Sequence, residues 1–274
     1  MKYSSMSLYF HYHKSLIKHY LNATFIDVLH SPYVFKMYNE SIKKQAASKI
    51  EFKQIENLRK TLKQDNSTVT YTDFGALAKS EGEIKHLKVS GIAKTDLKPS
   101  RIAEILHYLI KNSDLNNCIE LGTSLGITTS YLLKALENKS NPSLYSIEAS
   151  KDVHELAKKN IESLSLQKNA HLILGSFDEQ LPLLLEKLVV VDFIFIDGNH
   201  SYEATIRYFE WILPKVHENT LIIFDDIYWS EGMTKAWEEI KNHHTISISV
   251  DLFFFGIISF RKGQVKEHFK LRIF

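Results

Sequence analysis

Short apolar runs alternate with segments of helical periodicity from residue 117 onward. Seven runs predict strands, and they lie at 117–121, 144–148, 171–174, 189–197, 220–224, 245–251 and 252–260. Strands that alternate with helices are typical of a doubly wound, mostly parallel sheet of the α/β class. Only a short turn separates the last two runs. We therefore expect a seven-stranded sheet with an antiparallel C-terminal hairpin, because a parallel crossover needs about a dozen residues or more.

The N-terminal part of the chain has helical periodicity without strand patterns. Apolar and aromatic residues recur at helical spacing over 8–22. Ser31 and Pro32 suit the N-cap and first position of a helix over about 32–44, and a further helix is predicted over about 42–63. These residues are interpreted as a helical N-terminal extension.

The pattern divides the chain into three segments. Residues 1–64 form the helical extension, and residues 65–98 are polar and punctuated by glycine, so they are interpreted as a linker or as a lid over the site. Residues 99–274 form the α/β domain, which opens with a helix over about 99–111.

Charge is distributed unevenly along the chain, although the net charge is only +2. Residues 1–64 contain 11 Lys+Arg and 4 Asp+Glu, whereas the rest contains 23 and 28. Such asymmetry can mark a nucleic-acid or membrane surface, and a solvated helical appendage is the alternative that we favour.

Several protein classes are excluded by composition. The single cysteine, Cys118, rules out a disulfide framework and a Cys-based zinc site. No run approaches the roughly 18 apolar residues that span a bilayer, and the N-terminus has no secretory signal pattern. We therefore expect a cytoplasmic protein without a membrane partner.

The segment from Asn117 to Ser130 combines a buried strand, a glycine turn and a helix. Glu120 ends the strand, and Gly122 and Gly126 let the backbone turn sharply and approach a ligand, which a Cβ would prevent. The N-terminal amides of the next helix point to the same place and favour a polar or charged ligand group. A strand–helix turn without a ligand is the alternative. The G-x-G-x-x-G spacing of dinucleotide enzymes is absent.

The pattern Glu-x-Gly-x-x-x-Gly, from Glu120 to Gly126, resembles motif I of the class I S-adenosylmethionine (SAM)-dependent methyltransferases. The resemblance covers roughly residues 99–274. It implies that Glu148, at the end of the second strand, accepts hydrogen bonds from both ribose hydroxyls of SAM. A surface glutamate is the alternative.

The turn from Gly175 to Asp178 resembles the adenine-contacting segment of the same family, in which Asp178 would accept from the adenine amino group and Phe177 would pack on the ring. The residues expected to bind SAM are Glu120, Gly122, Thr123, Ser124, Gly126, Glu148, Ala149, Ser176, Phe177, Asp178 and Asp197.

Three carboxylates follow adjacent predicted strands, where ligands bind in open α/β sheets. Clustered carboxylates repel each other, and a divalent cation with oxygen ligands is one solution. Here the chain resembles metal-dependent O-methyltransferases that act on catechols and caffeoyl thioesters, with Asp226 in place of an Asn and Trp229 matching a Trp. The resemblance implies that Asp197, Asp225 and Asp226 bind Mg²⁺ or another divalent cation.

His200 stands where that family carries a lysine that assists deprotonation of the acceptor hydroxyl. An imidazole can serve as general base near neutral pH, so His200, Asp197 and Asp225 are the expected catalytic residues. The segment also resembles a broader group of bacterial methyltransferases with Asp-Gly-x-His-Ser-Tyr, in which a metal is not assured. Helix capping or hydrogen bonding within the turn is the alternative role for His200.

The expected function is SAM-dependent methylation of an oxygen on a small molecule, with metal assistance left open. One alternative is an RNA methyltransferase whose basic N-terminal helices hold phosphates. Methyltransferases that act on exocyclic base amines usually carry an Asn/Asp-Pro-Pro-Tyr segment after the fourth strand. This chain has no Pro-Pro pair, which counts against methylation of exocyclic amines. The other alternative is a non-catalytic SAM-binding protein, which would have no need of the acidic cluster. We expect no nucleic-acid partner, and we expect residues 1–64 to cap the acceptor pocket or to form a homodimer contact.

Overall fold

The computed structural model describes residues 2–25, 30–43, 48–76, 78, 80 and 82–273. Its contacts divide the chain into two compact units. The first consists of Met1–Phe35 and Leu185–Phe274, and the second consists of Lys36–Leu184. These units do not coincide with the three segments expected from the sequence, whose boundaries stay a prediction.

The described residues form eleven α-helices and ten strands. The helices are α1 (Lys2–Asn22), α2 (Pro32–Met37), α3 (Ser48–Glu51), α4 (Lys53–Leu62), α5 (Val89–Thr95), α6 (Ser100–Lys111), α7 (Ile127–Leu136), α8 (Lys151–Ser163), α9 (Phe177–Lys187), α10 (Tyr202–Ile212) and α11 (Glu231–Asn242). The strands are β1 (Thr68–Asp73), β2 (Glu83–Lys88), β3 (Asn117–Leu121), β4 (Ser143–Glu148), β5 (Ala170–Leu174), β6 (Phe193–Ile196), β7 (Leu221–Asp225), β8 (Ile248–Asp251), β9 (Phe255–Ser259) and β10 (Glu267–Lys270).

The second unit contains three parallel strands in the order β3–β4–β5. The inward face of α6 is apolar and buried, because Ile102, Ile105 and Leu109 recur at helical spacing. Helices α4 and α5 bury their apolar residues in the same cluster as α7. The parallel strands therefore end beside helices that are fixed by apolar packing.

The first unit contains five strands in the order β10–β8–β9–β7–β6. Strands β6 and β7 are parallel, and all residues of both are buried. Strand β9 is antiparallel to β7 and β8, which confirms the predicted C-terminal hairpin. Strand β10 runs parallel to β8.

The fold class is α/β with mainly parallel strands and N-terminal helices, as the sequence predicts. From residue 117 onward the structure has eight strands, β3 to β10, whereas seven were expected, because β10 was missed. Its sequence, Glu267-His268-Phe269-Lys270, is mostly polar and gives no strand pattern.

The run at 189–197 was predicted as one buried strand, but β6 covers only Phe193–Ile196. Val189 is 88% exposed and Val190 is 37% exposed, and they precede the strand. The apolar character of Val189 and Val190 therefore did not predict their burial.

Residues 65–98 contain regular structure. Strands β1 and β2 form an antiparallel hairpin, in which Lys85 Nζ lies 2.5 Å from Asp73 Oδ2, and α5 follows directly. The sequence pattern missed all three elements, because glycines and charged residues interrupt the apolar positions.

The N-terminal helices differ from prediction in length. Helix α2 ends at Met37 and continues as a π-helical turn over Tyr38–Ile42. The predicted helix over 42–63 is α3 and α4, which are interrupted at the buried Phe52. Residues 44–47 of that prediction lie outside the described residues.

Candidate functional site

The glycine turn after β3 has a left-handed backbone at three positions. The φ angles are 107° at Gly122, 46° at Ser124 and 78° at Gly126. The amides of Gly122 and Thr123 donate to the carbonyl of Ile147, at 3.0 and 3.3 Å. The turn is thereby held against the end of β4, and α7 begins immediately after it.

Gly126 is required by both conformation and space. A Cβ at this position would lie 3.2 Å from the carbonyl oxygen of Ala157 in α8. We expect Gly126→Ala to destabilise the protein by about 1–2 kcal/mol, because a left-handed φ is costly for alanine. Urea unfolding measures the effect.

Gly91→Ala is the matched control for that substitution. Gly91 lies in α5, has no left-handed φ, and an added Cβ would meet no atom within 4 Å. We expect this variant to be neutral or more stable by about 0.5–1 kcal/mol. Equal destabilisation of both variants would contradict the assigned role of Gly126.

Glu120 is fully buried beneath the turn. Its Oε2 accepts hydrogen bonds from Thr129 Oγ1 and Ser146 Oγ, both at 2.6 Å. Ser146 Oγ also lies 2.6 Å from Thr123 Oγ1. The carboxylate therefore connects α7 to β4 behind the glycine turn, and its contact with SAM stays a prediction.

Glu148 lies at the end of β4 and is partly exposed. Its Oε2 accepts from the amide of Ser124, and its Oε1 accepts from the amide of Ser150, both at 2.9 Å. Each oxygen can accept a further hydrogen bond. The fold thus joins two predicted SAM-binding residues, Glu148 and Ser124, which are far apart in sequence.

The pKa of Glu148 is raised, chiefly by burial of its carboxyl group. Hydrogen bonds from the amides of Ser150, Ser124 and Ala149 act in the opposite direction, and the charge of Asp96 adds to the increase. This carboxylate is therefore more easily protonated than an ordinary glutamate.

The predicted adenine-contacting segment adjoins the same strand end. Gly175 has a φ of 147°, and its amide donates to the carbonyl of Glu148 at 3.0 Å. Ser176 Oγ accepts from the amide of Glu179 at 3.3 Å. Phe177 and Asp178 form the first turn of α9, whereas the sequence analysis placed them in the turn after the third predicted strand.

The first unit contains the second group of predicted residues. His200 Nε2 lies 3.6 Å from Asp197 Oδ1 and 4.0 Å from Asp226 Oδ2. The imidazole and indole ring centres of His200 and Trp229 are 5.8 Å apart. These side chains are only partly buried, so His200 can reach a ligand while two carboxylates remain near its ring.

The cap of α10 is Ser201, whose Oγ accepts from the amide of Ala204 at 3.3 Å. The alternative role of His200 as the helix cap is therefore taken by its neighbour. Within the turn, the backbone amide of His200 donates to the carbonyl of Gly198 at 2.9 Å.

Three non-glycine residues at or near His200 have a left-handed backbone. The φ angles are 64° at Asn199, 50° at His200 and 53° at Asp226. Such positions cost about 1–3 kcal/mol each and concentrate at functional sites. The amide of Asp226 donates to the carbonyl of Phe254 at 2.8 Å, which fixes its conformation.

The three expected metal ligands differ in burial. Asp225 is the buried last residue of β7, whereas Asp197 and Asp226 are partly exposed beside His200. Among the residues that the structure describes, no group of three or more His, Cys, Asp or Glu side chains is arranged to hold a metal ion. Metal binding by these aspartates stays a prediction.

Tyr12 is a candidate site residue that the sequence analysis did not single out. Burial raises the pKa of Tyr12, and the nearby charge of Asp226 raises it further. Its ring contacts Phe253 edge-on, with centres 5.1 Å apart. The only sequence signal was its place on the inward side of α1, which is equally typical of a core residue.

A buried polar network anchors α1 through its residue His19. His19 Nδ1 lies 3.2 Å from Asp251 Oδ1, and the hydroxyl of Tyr228 donates to Asp251 Oδ2 at 2.5 Å. Burial acts to raise the pKa of Asp251, but the contacts with His19, Lys270 and Tyr228 lower it overall. Since Tyr228 precedes Trp229, the network links α1 to the segment that carries Trp229.

Comparison with known proteins identifies the class. Residues 119–227 match the family model described as a methyltransferase domain. A curated relative is an uncharacterized protein of Acanthamoeba polyphaga mimivirus, 27% identical over 164 residues, which are 57% of this chain and 72% of that protein.

Two solved structures illustrate the similarity in fold. The O-methyltransferase from Bacillus cereus in complex with SAH (S-adenosylhomocysteine) is 19% identical, with a TM-score of 0.56 over 82% of this chain and 95% of that chain. The SAH-bound methyltransferase from Podospora anserina is 12% identical, with a TM-score of 0.58 over 84% of this chain and 94% of that chain.

The fold is thus that of the class I methyltransferases. Residues 119–227 carry the methyltransferase domain that motif I predicted, and they include the glycine turn, Glu148 and His200.

Proposed function

We propose that this methyltransferase methylates a hydroxyl oxygen of a small molecule, with His200 as general base. The observation that carries the proposal is the position of His200 Nε2, 3.6 Å from Asp197 and 4.0 Å from Asp226. An imidazole between two carboxylates suits removal of a proton, because the carboxylates stabilise the imidazolium that forms. The O-methyltransferase activity named for the Bacillus cereus protein gives further support.

The glycine turn and Glu148 would bind SAM, which supplies an electrophilic methyl group on its sulfonium. The glycine turn offers backbone amides to the amino-acid part, and Glu148 accepts hydrogen bonds from the ribose hydroxyls. Phe177 would pack on the adenine ring, and Asp178 would accept from its amino group. The two amides bound to Glu148 hold the carboxylate in place for this task.

His200 and the side chains around it would act on the acceptor. His200 takes the hydroxyl proton as the oxygen forms its bond to the methyl carbon and the bond from that carbon to sulfur breaks. Trp229 and Tyr12 offer aromatic surfaces for an apolar or planar acceptor. No step requires a metal, so the proposed reaction depends on orientation and on proton removal.

A labelling experiment tests this function. The purified enzyme is incubated with SAM carrying a ¹³C-methyl group and a small-molecule extract, with and without added RNA. Mass spectrometry is expected to find the label as an O-methyl group on a small molecule, and none of that product with Asp197→Asn/His200→Ala enzyme. Label that enters RNA instead, and is released by ribonuclease, would overturn the proposal in favour of an RNA methyltransferase.

A further inference from the structure

Helix α1 has an inner face that is fixed to its own unit. His19 is buried and its Nε2 bonds the carbonyl of Leu271 at 3.2 Å, while His11 Nε2 lies 2.9 Å from Thr234 Oγ1. Ala23, just past the helix, is also buried. The helix is therefore held in one orientation, and its outer face is exposed in the folded protein.

The outer face of α1 carries an apolar stripe. Exposed His13 lies within it, and its ring centre is 4.1 Å from that of Tyr9. Met6, Phe10, Ile17 and Leu21 are 57%, 64%, 63% and 78% exposed. At 100° per residue, their spacings of four, seven and four positions place all four side chains on one side of the helix. Tyr9 is 61% exposed and lies beside Phe10. Large apolar side chains grouped on one exposed helix face are typical of an interaction site.

The charged residues in the sequence of α1 have one sign. Helix α1 contains Lys2, Lys14 and Lys18 and no Asp or Glu. Lys14 and Lys18 are exposed and follow one edge of the stripe. Beyond the helix, Phe25 is 61% exposed, and the guanidinium of Arg272 lies 4.6 Å from its ring centre.

We propose that this face of α1, consisting of Met6, Tyr9, Phe10, Ile17 and Leu21 with the flanking lysines, docks on an anionic lipid bilayer. The helix lies along the surface, the stripe enters the interfacial region, and the lysines reach lipid phosphates. Among the described residues, no helix has the length and hydropathy to cross a bilayer. The inference concerns attachment to the surface and does not depend on the proposed reaction. It differs from the expectation, drawn from the sequence, of no membrane partner.

Charge complementarity distinguishes a lipid surface from a second copy of the chain. An antiparallel two-fold contact between two α1 helices would bring their basic edges side by side, and α1 has no acidic residue to neutralise them. An anionic bilayer neutralises the lysines and covers the apolar and aromatic side chains at the same time.

Flotation with vesicles tests the proposal. Full-length protein is mixed with large unilamellar vesicles of phosphatidylcholine and phosphatidylserine in a 3:1 ratio, or of phosphatidylcholine alone, at low and high salt. We expect flotation with the anionic vesicles, and less at high salt because exposed charges are screened. Phe10→Ser/Ile17→Ser is expected to weaken partitioning at least about tenfold, since two apolar side chains no longer enter the interface.

Val189→Ser/Val265→Ser is the matched control, because these side chains are 88% and 81% exposed and lie outside α1. Thermal melting of all variants verifies the fold, and the control is expected to float like the wild type. Absence of flotation with anionic vesicles would overturn the proposal. So would a dimer, measured by light scattering, that Phe10→Ser/Ile17→Ser converts to monomer, because the stripe would then be a self-association face.

Discussion

Replacement of His200 by alanine is expected to lower turnover by about 10²–10⁴-fold, the usual contribution of a general base. Binding of SAM, measured by calorimetry, should stay unchanged, because His200 belongs to the acceptor-binding group and not to the predicted SAM-binding residues. The reason is geometric. His200 Nε2 lies 3.6 Å from Asp197 and 4.0 Å from Asp226, so the imidazole has carboxylates beside it to stabilise the proton that it takes.

The control is His244→Ala, since His244 is exposed and lies outside this cluster. It should retain full turnover with the acceptor found by the labelling experiment. A His200→Ala enzyme with full activity would refute the mechanism.

Chelator treatment separately tests the metal prediction, because activity that is lost with EDTA and restored by Mg²⁺ would support a divalent cation at the aspartates.

Replacement of Glu148 by alanine is expected to weaken SAM binding by at least about tenfold, because each charge-assisted hydrogen bond contributes about 1.5–3 kcal/mol. The substitution removes the acceptors for the ribose diol. It also removes the acceptor of the Ser124 amide, which helps to hold the glycine turn. Calorimetry with SAM and with S-adenosylhomocysteine measures the affinities. Wild-type affinity in this variant would refute the ribose assignment.

The acidity of Glu148 gives a second test of the same residue. Burial raises its pKa above the ordinary value of 4.5, and the protonated acid is a poorer acceptor for the diol. SAM affinity should therefore fall as pH decreases through this raised pKa, starting above pH 4.5. In the ligand-free protein the sign is opposite: the stabilising contribution of protonated Glu148 is present below pH 4.5 and is lost as pH rises through the raised pKa.

Glu148→Gln is the control for the pH effect. It cannot ionise, so its weaker SAM binding should lack the pH dependence attributed to Glu148. The same acid dependence in this variant and in the wild type would assign the titration to another group. Thermal melting shows whether either Glu148 variant has lost the fold.

Local sequence was enough to predict the central strand–turn–helix unit. Cys118, Ile119 and Leu121 are apolar and lie in β3, and Gly122 and Gly126 have the left-handed φ angles that a tight turn requires. The antiparallel pairing of β8 and β9 was also predictable, because a short connection excludes a parallel crossover. These features depend on neighbours in sequence, which the pattern displays directly.

Other features depended on partners that are distant in sequence. Val189 has the same apolar character as Phe193, but only Phe193 enters the strand, because burial is set by what packs above and below it. Strand β10 has no strand pattern and forms through its pairing with β8. The hairpin of β1 and β2 was likewise missed, because it contains charged residues that pair across the hairpin, such as Lys85 with Asp73.

The candidate site divides in the same way. The sequence by itself determined the glycine turn, the carboxylates at the strand ends and the histidine three residues after Asp197, because residue type and spacing encode these features. The tertiary structure alone decided that Ser124 donates to Glu148, that Asp226 approaches His200 and that Tyr12 lies near Asp226. Each of these pairs joins separate elements, and their proximity follows from strand pairing and helix packing, which no local pattern specifies.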